Sequence, residues 1–111
     1  MTKDFNTVDQ YVQAPQAGVN ANIGRALAVS NLASGGAIAT AAQMDGYNVF
    51  VINQTTAGQT LTMGSPTDTS AAYIIYLVNK GSQSFTFQSV TIGTGKCFMI
   101  IWDGDSWGIN V

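Results

Sequence analysis

The chain has 111 residues, of which 46 % are apolar and 9 % charged, with a net charge of −2, no histidine and one cysteine. That length suits one domain. The four basic residues, Lys3, Arg25, Lys80 and Lys96, stand singly along the chain, which excludes a footprint for nucleic acid within one subunit. The longest apolar runs, such as Phe98–Trp102, fall far short of the roughly 20 residues of a membrane span.

Cys97 has no intramolecular disulfide partner, and without histidine or glutamate the chain offers a metal ion one thiol and scattered aspartates. No metal or other cofactor is expected. A domain this small buries only about 60 to 70 % of the surface its unfolded chain exposes, so it needs a staple. With disulfides and metals set aside, partner chains remain, and the expectation is a symmetric homo-oligomer. The first residues lack the basic-then-apolar layout of a signal peptide, which places synthesis in a cytoplasm.

Residues 1–36 are rich in Ala, Asn, Gln and Gly, broken by Pro15 and Gly18, and show no sustained period of two. They read as an irregular N-terminal arm. Phe5, Val8, Tyr11 and Val12 recur at helical spacing within it and are the candidates for contact with a neighbouring subunit or another protein. Packing on their own domain is the plainer alternative. Arg25 to Leu32 fits either a brief helix or an extended edge segment.

Residues 37–111 read as the β domain. Tyr47–Ile52 and Thr60–Met63 are strand-like, with turn chemistry between them at Gln54–Gly58. The stretch Gly64–Asp68 around Pro66 reads as a loop. Tyr73–Val78 is continuously apolar, the pattern of a central strand covered on both faces. Phe85 and Phe87 are out of parity with Val90 and Ile92, so a bulge or tight turn at Gln88-Ser89 is needed to put all four on one core face. Lys96–Trp102 and Trp107–Val111 flank Asp103-Gly104-Asp105-Ser106, a hairpin signal, and Cys97 reads as a buried structural thiol. About seven short strands with no long helix predict an all-β fold, a β-sandwich or jelly-roll-like barrel.

No catalytic centre assembles from these residues. A nucleophilic serine lacks a histidine base, and Lys80 and Lys96 sit in turn-like contexts that leave them solvated. Asp103 and Asp105 are turn residues first; calcium would need about six to eight oxygen ligands. Gly93-Thr94-Gly95-Lys96 lacks the spacing of a phosphate loop and reads as a β-turn. Among the aromatics, Trp102 reads as cross-strand packing, Trp107 fits either such packing or a ligand or interface contact, and Tyr47 is a further candidate for stacking on a ligand or anchoring an interface. The chain is therefore expected not to be an enzyme.

Asn53-Gln54-Thr55-Thr56-Ala57-Gly58, the strand Ser84-Phe85-Thr86 and the closing Trp102-Asp103-Gly104-Asp105-Ser106-Trp107 together resemble a module of bacteriophage virion proteins. The resemblance covers about residues 36 to 111. It implies a β-sandwich or jelly roll of the virion, commonly a homotrimer. In a chain with an arm and a neutral surface, it implies a capsid decoration or cement protein bound to the major capsid protein at capsomer junctions. The alternative it leaves open is a head-fibre or tail-fibre module that binds a receptor or carbohydrate.

Overall fold

The computed structural model describes residues 24–110. In chain order the elements are β1 (Ala26–Val29), α1 (Ala41–Gly46), β2 (Val49–Ile52), β3 (Gln59–Thr60), β4 (Tyr73–Asn79), β5 (Phe85–Phe87), β6 (Val90–Ile92), β7 (Cys97–Trp102) and β8 (Trp107–Ile109). The fold is mostly β, in two mixed sheets: five strands in the order β1-β2-β4-β7-β8, and three in the order β3-β5-β6. No closed barrel forms among the described residues.

The pairing departs from a purely antiparallel jelly roll. β1 with β2, β2 with β4, and β3 with β5 are all parallel, as is the bridge from Ala37 to Thr62. The cause lies in the connections. From β1 to β2 and from β2 to β4 the chain crosses to the side of the small sheet and returns in the same direction, whereas the β5-β6 hairpin adds one more reversal before β7. Only the C-terminal strands β7 and β8 add antiparallel.

Ala26–Val29 settles the open reading of Arg25–Leu32 as an edge strand of the large sheet. A division between arm and domain at residue 36/37 therefore falls after the first strand. Periodicity gave no sign of this, because β1 offers the core only two half-buried side chains, Leu27 and Val29.

One buried cluster joins the sheets. Phe50 and Ile52 of β2, Ile75 and Leu77 of β4, and Ile100 and Trp102 of β7 meet Leu61, Phe85, Phe87 and Ile92 from the other side. Each large apolar side chain so removed from water contributes about 1.5 to 3 kcal/mol. The hairpin between β5 and β6 turns through Gln88 (φ 52°) and Ser89 (φ 64°) alone. Positive φ at both central residues matches the twist of paired strands, and it brings Phe85, Phe87 and Ile92 together in the core. Helix α1 was not foreseen. Its signal is Thr40-x-x-Gln43: the Thr40 hydroxyl accepts from the Gln43 N–H while the Gln43 side chain accepts from the Thr40 N–H. The helix inserts Met44 into the core.

Polar side chains tie the corners of the successive crossovers together. Gln54 is fully buried, accepting from the Leu32 N–H and donating to the carbonyls of Leu32 and Thr56. Asn31 Oδ1 accepts from the N–H groups of Thr55 and Thr56. Asn79, also fully buried, donates to the carbonyls of Gln83 and Ile92 and accepts from the Gly81 N–H. The residues of the Asn-Gln-Thr-Thr motif thus serve as backbone ties, the normal fate of buried polar groups.

Candidate functional site

The side chains of the large sheet alternate between the core and an opposite, outer face. Along β4, Ile75 and Leu77 point inward, so Ile74, Tyr76 and Val78 point outward. Register then aligns the outer face in rows. Ala26, Val49, Tyr76 and Met99 form one, and Ala28, Val51, Val78 and Cys97 a second. Ile74, Ile101 and Gly108 form a third. No charged residue lies in these rows. Ile74 is 52 % exposed and Ile101 37 %, the two large apolar side chains most open to solvent among the described residues.

Two sequence expectations are corrected here. β4 is the central strand, but it is fully buried only on its inner face: Ile75 and Leu77 are buried, whereas Tyr76 and Val78 are half-buried and Ile74 is exposed. Cys97 is exposed rather than buried. It pairs with Val78 and shares the outward parity of Met99 and Ile101, so it belongs to the bare face. At the β8 side, Met99, Ile101, Asp103, Gly108, Ile109 and Asn110 border a groove of about 420 Å³.

The sequence-predicted site residues lie elsewhere. Phe5, Val8, Tyr11 and Val12 fall outside the described residues. Trp107 pairs with Trp102 across β7 and β8, with ring centroids 5.4 Å apart in an edge-to-face contact. Its ring belongs to the core at 9 % exposure, its indole N–H donates to the Gly64 carbonyl at 2.8 Å, and it reaches the wall of a second groove beside Leu61, Phe87 and Gln88. The Trp102 N–H donates to the Thr69 carbonyl at 2.9 Å, so the two indoles hold the loop around Pro66 at both ends. Tyr47 is half-buried beneath Arg25, whose guanidinium carbon sits 4.7 Å from the ring centroid.

The hairpin tip is built by turn chemistry. Asp103 Oδ1 accepts from the N–H groups of Asp105 and Ser106, and Gly104 takes φ 98°. The bonds from Ser106 and Asp105 hold the Asp103 carboxyl below its ordinary pKa, and the Ser70 hydroxyl and N–H do the same for Asp68. A lowered folded-state pKa contributes stability above the unfolded value near 4, which is lost as pH falls through the folded value. Both groups are fully solvated, so the contribution is small. The melting temperature is expected to decline on acidification from about pH 5 to about pH 2, and Asp103→Asn to flatten part of that decline. An unchanged slope in the variant would show that the Asp103 bonds do not carry it.

Among the described residues no group of three or more His, Cys, Asp or Glu side chains could hold a metal ion. No helix is long and apolar enough to cross a membrane. Comparison of the chain with protein-family models, with curated proteins and with solved structures found no match.

Proposed function

We propose that the chain is a structural protein of a bacteriophage particle, a sandwich-like module that decorates the outer surface of the head at capsomer junctions and stabilises it there. The observation that carries this reading is the bare, uncharged outer face of the large sheet. Contiguous apolar faces of this kind mark interaction surfaces, and a protein that carries one works as part of an assembly. The likeness of Asn53–Gly58, Ser84–Thr86 and Trp102–Trp107 to virion modules supplies the setting. Its partners are then the major capsid protein and further copies of itself, and in this reading Phe5, Val8, Tyr11 and Val12 of the arm make the capsid contact.

The fibre reading draws less support. A sugar-binding platform needs an open ring face, whereas Trp107 is packed in the core and Tyr47 lies under Arg25. Copy number per particle, measured by quantitative mass spectrometry of particles of the phage that encodes the chain, separates the two. Hundreds of copies are expected, since only the shell repeats a site that often. A few to a few tens would move the protein to a fibre, and absence from the particle would end both readings.

A further inference from the structure

We infer that the outer face of the five-stranded sheet is the interface through which copies of this chain bind one another. The inference deepens the assembly reading and rests on it only in taking the chain to work as part of a larger assembly; it is independent of the particle on which the chain sits.

Three observations select a second copy as the occupant. The first is electrostatic. The outer rows hold alanine, valine, isoleucine, tyrosine, methionine and the Cys97 thiol, with no charge to repel an identical face. A two-fold contact sets a surface against itself, so a face without like charges is self-compatible. Asp103 stands at the margin, beside the groove under Ile101 and Gly108, where a charge stays in water.

The second observation is area. Five strands about 4.8 Å apart, with two or three outward residues on each of β1, β2, β4 and β7 and Gly108 alone on β8, span a face roughly 20 Å by 20 Å. Laid on a second such face, it removes on the order of 1,000 Å² from water, the size at which specific interfaces begin. A short peptide would leave most of the rows bare.

The third is the sequence of β4. Its unbroken Tyr73-Ile74-Ile75-Tyr76-Leu77-Val78 is the composition of a strand buried on both sides, yet the described chain fully buries one. Sheets that stack face to face lie about 10 Å apart, close enough for Ile74, Tyr76 and Met99 to interdigitate with their counterparts. The second layer that β4 requires is then supplied by the other copy, which is also the staple that a domain this small lacks within itself.

The test uses the isolated full chain, so that its result is separate from whether the protein is found on a particle. Sedimentation equilibrium at micromolar concentration is expected to give a multiple of the chain mass for the wild type. The Ile74→Asp/Ile101→Asp double variant is expected to give the single-chain mass with an unchanged β circular-dichroism spectrum, since both side chains point away from the core. Cys97 supplies a second readout. Its reaction with a maleimide is expected to be at least tenfold slower in the wild-type oligomer than in the double variant, and to accelerate as the wild type is diluted. A monomeric wild type would overturn the inference. Should its thiol be protected even so, residues 1–23 or another part of the same chain cover the face. An oligomer that survives in the folded double variant would place the interface elsewhere. If the double variant does not fold, the wild-type thiol decides: protection independent of concentration overturns self-docking, and protection lost on dilution upholds it.

Discussion

Gly81→Ala is expected to destabilise the protein by about 3 kcal/mol or more, through steric collision rather than loss of backbone freedom. Gly81 is buried two residues after the end of β4, and a Cβ there would run into the backbone nitrogen and carbonyl oxygen of Gln54. A flexible side chain could rotate away from such a collision. The Gln54 backbone cannot, because its carbonyl accepts from the Gln83 N–H and its side chain is bonded to Leu32 and Thr56. Relief requires the corner after β4 to lift from the corner after β2, breaking the Lys80 N–H bond to the Ile52 carbonyl as it goes. For a domain of this size each kcal/mol moves the melting temperature by about 4 to 8 °C, so a fall of more than about 12 °C is expected in calorimetry. Lys80→Ala is the control. Lys80 is exposed, and its truncation should shift stability by less than about 0.5 kcal/mol. Equal losses in the two variants would show that the close approach is not the cause.

Asn79→Leu is expected to cost about 3 kcal/mol by a different route. The leucine fits the apolar surroundings but strands the Gly81 N–H and the Ile92 carbonyl, both bonded to Asn79 within the core. A buried backbone group left without a partner costs about 1 to 3 kcal/mol. The third partner, the Gln83 carbonyl, is nearer the surface, where water can replace the lost amide. The loss should appear in urea unfolding as a lower midpoint with an unchanged slope. A variant as stable as wild type would mean that the corner rearranges to satisfy itself. Because Asn79 and Gly81 belong to one corner, the double variant should lose less than the two single losses added together.

Both residues stand in a stretch, Asn79-Lys80-Gly81, that reads from sequence as an ordinary turn. Nothing local distinguishes an asparagine bonded across the core to Ile92 from one facing water, because Ile92 lies thirteen positions away and comes near only when β6 returns. The Asn53–Gly58 motif is similar. It is recognisable as turn chemistry, yet the role of Gln54 as a tie to Leu32 depends on β1 lying beside β2. The candidate docking face was half legible. The apolar run of β4 announced burial on both sides, but parity alone could not show that the chain itself would fully bury only one of them.

Composition and spacing were enough to determine a β-rich domain, its central strand, the tight turn at Gln88-Ser89, the terminal hairpin and the loop around Pro66. Each depends on nearest neighbours: alternation along a strand, backbone angles at a turn, or the stiffness of proline. Only the tertiary structure decided that strands would pair in parallel, that Ala26–Val29 would join the sheet, and that Cys97 would face outward opposite Val78. These follow from which distant segments the crossovers bring into register. That is a property of the closed core, which no window of adjacent residues contains.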